Sequence, residues 1–349
     1  MDFTGFPGLA GKTAIVTGST QGLGADIARG LAAAGVNVVL VGRNAEAGRK
    51  LEDELDGRAL YCETDIGQDA QIQRCIDAAV ARFGRLDILV NNACQYADRG
   101  LASSREEWHN TLDTNLVSAA IFTQLAAPLL PRGGVVVNMG STGGKFGAAG
   151  RALYPASKAA LLQITKNFAV ELAPAGVRVR AGSPAWTGSP SVEQLSGGSR
   201  PAADAVGAHF HPLGRVGSGE EIAAAVCFAC SDAASWMTGV DIPVDGGFSI
   251  LGPDRGISPR AWFKELAPGG RPRAGSADDD LPFFDGGLAA DLVFQEFLHL
   301  VAHLDRRAAA EAARGRDGGA GQGLQVQHPL GVLRVQRPPV LAARDGGGA

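Results

Sequence analysis

Along the first 250 or so residues, short apolar runs alternate with longer stretches whose apolar positions recur at helical spacing. The runs at 13–16, 36–41, 59–62, 86–90, 135–139, 177–181 and 240–244 are brief, and the first is β-branched, which predicts strands. Between them, 22–34, 45–55, 71–83, 104–130, 156–172 and 220–230 read as helices. Gly35 stands where a left-handed residue closes the first helix. Ser103 or Ser104, with Glu106 or Glu107 three residues on, supplies a capping box for the long one. Strands alternating with long helices imply a parallel sheet covered on both faces. The fold class is therefore α/β, a doubly wound Rossmann-type sheet of about seven strands. Ligands in such sheets bind at the carboxyl ends of the strands, so the segments just after each strand carry the functional reading.

After about Gly256 the pattern dissolves. No Lys, Ile, Asn, Tyr or Met occurs beyond Lys264, and one helical stripe, 292–304, remains. The chain divides into a Rossmann-type domain, 1–256, and a low-complexity extension, 257–349, expected to be poorly ordered. A hydrophobic share of 45% excludes full-length disorder. With 32 basic against 36 acidic residues the chain is not built to grip a phosphate backbone, so no nucleic-acid partner is expected. Five cysteines, an odd number in a large chain, point to a reducing compartment, and a cytoplasmic location is expected. No leader and no membrane span are expected either.

Two segments can carry chemistry. The first strand runs through Thr17, Gly18, Ser19, Thr20, Gln21, Gly22, Leu23 and Gly24 into a helix. Glycines there permit a tight turn and close approach of the backbone to a pyrophosphate at the helix N-terminus. In the second, Tyr154 and Lys158 lie four apart and share a helix face. A phenol with a pKa of about 10 is a poor proton donor or acceptor near neutrality unless a cation stabilises its anion, and Lys158 supplies one. Ser141 follows the strand 135–139 and can face the same pocket.

Together these residues resemble the classical short-chain dehydrogenase/reductase family. The glycine segment resembles its T-G-x3-G-x-G, Tyr154 and Lys158 its Y-x3-K, and Ser141 its serine. Asn115 falls at its helix asparagine, and Asp65, followed by Ile66, at the aspartate beside the adenine. Asn91-Asn92-Ala93 is similar to its N-N-A-G, and Val244-Asp245-Gly246-Gly247 to the end of its last strand. The resemblance spans about residues 9 to 250. It implies an NAD(P)-dependent oxidoreductase that moves hydride between a nicotinamide and a carbonyl or secondary alcohol. Within it, Ser141 would bond the substrate oxygen and Tyr154 would exchange the proton. Lys158 would assist the tyrosine and hold the ribose, and Asn115 would position a water. Asn92, Ala93, Pro184, Ala185, Thr187 and Ser189 would complete the cofactor site. Gln95, Tyr96, Phe146 and Trp186 would shape the substrate pocket. A 3-oxoacyl reductase is one alternative, and a non-catalytic dinucleotide-binding scaffold another.

Three positions depart from the family pattern. Cys94 replaces the last glycine of N-N-A-G and Ala185 the glycine of P-G, which tightens the cofactor site. Arg180 stands at a usual asparagine, and its charge needs a partner. Arg43, just after the second strand, stands where NAD-preferring relatives carry an acid. It favours NADP(H) over NAD(H), with Asn44 in support. Cys227 and Cys230 read as core thiols rather than metal ligands, and Glu296, His299 and His303 as a solvated helix face; no metal site is expected. His209 and His211, flanking Phe210, are either substrate contacts or surface residues. The expected assembly is a homodimer or homotetramer.

Overall fold

The computed structural model describes residues 1–252 and 254–266. Strands β1 (Thr13–Thr17), β2 (Asn37–Gly42), β3 (Ala59–Glu63), β4 (Ile88–Asn91), β5 (Val135–Met139), β6 (Arg178–Pro184) and β7 (Asp241–Val244) form one parallel sheet, ordered β3-β2-β1-β4-β5-β6-β7. Every residue of β1, β4 and β5 is buried, as near-continuous apolar strands require when both faces are covered. In register, Ile15 lies opposite Val39 and Leu89. Alternate side chains then go to opposite faces. Ala14, Val16, Val38, Leu40 and Val90 enter one core, with Ile27 and Leu31 of α1 (Gly22–Ala33). Ile15, Val39, Val41, Leu89 and Val136 enter the other, with Ile72 and Ile76. The latter pair belong to α3 (Asp69–Phe83), which follows α2 (Ala45–Glu54) and β3 in the chain.

The stretch predicted as one helix over 104–130 changes winding. It opens as α4 (Arg105–Leu112), with Ser104 and Glu107 forming the capping box. It loosens into a π-turn at Asp113–Val117, resumes as α5 (Ser118–Ala126) and tightens over Ala127–Leu129, where Pro128 lacks the N–H of a regular turn. Helix α6 (Leu153–Leu172) begins before the predicted 156, because Pro155 sits in the first turn, where its missing N–H costs nothing. Two short helices not read from the sequence follow β6, namely α7 (Pro190–Leu195) and α8 (Arg200–Gly207). Each has a serine cap, Ser189 or Ser199, and a proline in its first turn. Helix α9 (Gly219–Cys230) carries Cys227 and Cys230 into the first core, where burial pushes the Cys230 thiol up to about 12. Helix α10 (Pro259–Leu266) lies beyond Gly256, and the Trp262 indole donates to the Asp254 carbonyl at 3.0 Å. The stripe at 292–304, with Glu296, His299 and His303, lies outside the described residues.

The partner that Arg180 needs is main chain. Its guanidinium is fully buried and donates to the carbonyls of Ala234 and Met237, while Arg178 donates to Ser231 and Ala234 at 3.2 and 2.9 Å. These carbonyls belong to the turn after α9, so two β6 arginines tie the sheet to that helix end. Burial, followed by the charge of Arg178, pushes Arg180 down to about 10. Arg180→Ala leaves a void and takes the side-chain donor from the Met237 carbonyl, and the expected loss of stability is about 2–4 kcal/mol. Chemical denaturation measures it; a loss below about 1 kcal/mol would show that the turn holds without the arginine.

Candidate active site

The glycine segment joins β1 to α1 through close main-chain approach. Gly18 and Gly22 have φ of +65° and +53°. A Cβ on Gly18 would lie 2.8 Å from Ala93 Cα, and one on Gly24 would meet the Gly18 carbonyl. The N-cap of α1, Gln21, contributes no side-chain hydrogen bond and the first turn has no acid, which leaves an N-terminus suited to an anion. This cradle fits the pyrophosphate of a dinucleotide. Ser19 is buried and holds the segment in place: its hydroxyl donates to Val16 O at 2.8 Å and accepts from Val41 N–H at 2.9 Å. Thr17 Oγ1 accepts from the N–H groups of Asn92 and Ala93 at 2.9 and 3.0 Å, and Asn92 Nδ2 returns to Thr17 O at 2.9 Å.

Around this cradle stand the other expected cofactor residues. Thr20 packs beside Gly42, next to the exposed Arg43. Asn44, expected to assist Arg43, uses its side-chain oxygen to cap α2 through Ala47 N–H at 3.1 Å. Asp65 and Ile66 are half-buried after β3, and Asp65 Oδ1 accepts from Gly67 N–H at 3.1 Å. Pro184 ends β6, Ala185 follows half-buried, Thr187 is buried and Ser189 caps α7. Pro190 then lies against Gly22, since a Cβ there would be 3.3 Å from Pro190 Cδ. The segment after β6 thus reaches back to the glycine cradle.

Tyr154, Ser141 and Lys158 converge. A Cβ on Gly143 would lie 3.3 Å from Ser141 Oγ and 3.4 Å from Tyr154 Cε1, so the hydroxyl and the phenol ring flank one point. The Lys158 ammonium is 5.7 Å from the Tyr154 ring centroid and donates to Met139 O at 2.6 Å. Asn115, in the π-turn, accepts from Gln95 N–H at 2.8 Å and donates to Gln95 O at 3.1 Å and Ser157 Oγ at 3.0 Å. Its amide is thus a clamp between protein groups. Ser157 passes the link on to Tyr154 O at 2.7 Å. Sequence reasoning missed Ser157, although its place three residues after the tyrosine puts it on the same helix face.

The expected substrate residues separate. Tyr96 stacks on Tyr154, centroids 4.9 Å apart. Gln95 is half-buried and its Nε2 donates to Thr111 Oγ1 at 3.1 Å. Phe146 packs on Phe248 at 5.9 Å and Trp186 on Phe210 at 5.0 Å, with His211 between Trp186 and Phe248. His211 is buried and its Nδ1 meets Gly207 O at 2.8 Å, whereas His209 is only half-buried.

Comparison with known proteins shows the family. The sequence model of the family described as enoyl-(acyl carrier protein) reductase matches residues 18–249. The chain belongs to the short-chain dehydrogenase/reductase family. Like its relatives, this family member is an NAD(P)-dependent oxidoreductase acting on CH–OH and C=O groups. It is 36% identical to 3beta-hydroxysteroid dehydrogenase 1 of Eggerthella lenta over 251 residues, 69% of this chain and 95% of that one. It is 34% identical to the 3-oxoacyl-(acyl-carrier-protein) reductase FabG of Salmonella typhimurium over 244 residues, 69% and 98% of the two chains. A solved 7 alpha-hydroxysteroid dehydrogenase, complexed with NADH and 7-oxo glycochenodeoxycholic acid, superposes with a TM-score of 0.64 at 30% identity, covering 68% of this chain and 94% of that one.

The cradle's demand for glycine yields a direct test. A side chain at Gly24 collides with the main chain of Gly18, so Gly24→Ala should weaken binding of the reduced nicotinamide dinucleotide about tenfold or more, read by fluorescence titration. An unchanged Kd would show that the phosphate does not use this turn.

Proposed function

We propose that Tyr154 is the general acid and base of a carbonyl reductase, and that Ser141, Lys158 and Asn115 serve it. The observation that carries this reading is that Ser141 Oγ and the Tyr154 ring flank one point at Gly143 while the Lys158 ammonium lies 5.7 Å from the centroid of that ring. In reduction, Ser141 donates a hydrogen bond to the substrate oxygen and Tyr154 delivers its proton to that oxygen; in oxidation the proton returns to Tyr154. The Lys158 ammonium stabilises the charge left on the phenolic oxygen, and its remaining hydrogens can hold a ribose. Asn115 keeps the loop after β4 against α6, so its water contact falls to the main chain. The bound nicotinamide supplies or accepts the hydride.

NADP(H) is the favoured cofactor. Arg43 is exposed at the end of β2, where an acid would repel a 2′-phosphate, and Thr20 packs against the preceding Gly42. The aromatic wall of Phe146, Phe248, Trp186 and Phe210 suits a bulky apolar carbonyl compound. The match to a 3-oxoacyl reductase along 98% of its length keeps an acyl thioester as the second reading. A homodimer or homotetramer is supported by exposed Val117, Leu129, Val170 and Trp236, and a cytoplasmic setting by five free cysteines.

Purified protein should oxidise NADPH with at least one member of a panel holding a ketosteroid, an aromatic aldehyde and a 3-oxoacyl thioester. Tyr154→Phe should lower kcat by about 100-fold or more while NADPH affinity stays close to wild type. Turnover at the wild-type rate in that variant would sink the mechanism. Separately, Arg43→Ala should weaken NADPH by about 10–100-fold and NADH much less, since one charge-assisted bond to phosphate is lost. Equal losses would show that Arg43 does not read the 2′-phosphate.

A further inference from the structure

The helix that carries Tyr154 lacks a cap of its own. Its N-cap, Ala152, has no side chain able to accept, and its first turn has no acid. The customary bond from an N-cap side chain to the third helical residue is also impossible, because that residue is Pro155. The orphan donors are answered from another part of the chain. Asp98, in the loop after β4, accepts from Ala152 N–H with both oxygens at 2.9 Å and from Tyr154 N–H with Oδ2 at 3.0 Å. Its Oδ1 also takes Gly100 N–H at 3.0 Å, which ties the carboxylate to its own loop. Burial opposes ionisation of Asp98, but the N–H groups of Gly100, Ala152 and Tyr154 outweigh it and hold the carboxyl below its ordinary value.

A second observation makes this contact a built feature. Gly100 has a φ of +56°, and a Cβ there would lie 3.0 Å from Gly150 Cα and C. The loop after β4 therefore meets the approach to α6 main chain to main chain, with no room for a side chain. The same loop is fastened at Gln95 through Asn115 and Ser157. Tyr154 consequently has its N–H held by Asp98 and its C=O held by Ser157.

We propose that Asp98 is a positioning residue for Tyr154, locking the main chain of the catalytic tyrosine to the loop whose first residues, Asn92 and Ala93, meet the glycine cradle. The inference rests on the reading of Tyr154 as acid and base. Asp98 touches neither substrate nor cofactor and acts through the placement of the phenol. Its loss therefore falls on the chemical step and spares binding.

Asp98→Ala, Asp98→Asn and Tyr154→Phe, each as the full chain, are compared with wild type on the panel carbonyl it reduces fastest. The readouts are kcat, KM, NADPH Kd and thermal midpoint. Asp98→Ala should lower kcat by roughly 10–100-fold, with KM and Kd for NADPH shifted by less than about threefold. Asp98→Asn keeps the shape and one acceptor oxygen, so it should fall between, and it decides the matter should the alanine variant fail to fold. A folded Asp98 variant with kcat within about twofold of wild type, while Tyr154→Phe is inactive, overturns the role of Asp98 and leaves that of Tyr154 standing. A parallel rise in KM and Kd, with kcat preserved, overturns it too, because that marks a binding residue. Wild-type turnover by Tyr154→Phe, or no turnover of any panel carbonyl by wild type, rejects the underlying reading instead and removes the basis for this one.

Discussion

The structure depends on β1 having parallel neighbours on both sides. Between β2 and β4, its connection leaves toward one face and that of β4 toward the other, which opens a crevice at their carboxyl ends. Left alone, the crevice would expose unpaired backbone groups. Thr17 and Asn92 close it with hydrogen bonds across strands remote in sequence. Such partly buried bonds hold the glycine segment and the loop after β4 in fixed relation before any ligand arrives.

A second layer of polar groups carries that order outward to the helices. Asn91 Nδ2 donates to Asn138 Oδ1 at 2.9 Å, and Asn138 Nδ2 to Thr165 Oγ1 at 2.9 Å, which joins β4, β5 and α6 inside the apolar core. Asn115 and Ser157, equally buried, repeat the device between the π-turn and α6. The π-turn at Asn115 belongs to it, since a loosened turn re-aims one side chain without breaking the helix. Through these contacts the tyrosine and lysine on α6 are placed by the sheet, and the site inherits the rigidity of the core.

Much of this was legible in the sequence, because the informative features are local. The glycine spacing and the four-residue interval from Tyr154 to Lys158 each lie within one turn of chain. The central strands announced themselves because burial on both faces leaves them almost wholly apolar. What escaped reading depends on contacts far apart in sequence. The carbonyls that answer Arg180 come from the turn after α9. The bond from Gln95 Nε2 to Thr111 likewise joins residues 16 apart in the chain. Helices α7 and α8 did carry serine caps and prolines, yet they are too short for apolar periodicity to register.

The central claim is that the crevice and the catalytic residues of α6 serve one cofactor. A crystal structure with bound NADP+ tests it most directly. The expected result has the pyrophosphate on the main chain of Gly22 and Leu23, the 2′-phosphate against Arg43, and the ribose beside the nicotinamide within hydrogen-bond reach of both Tyr154 Oη and Lys158 Nζ. A cofactor seated elsewhere, or one bound in the crevice with Lys158 still committed to Met139 alone, would contradict it.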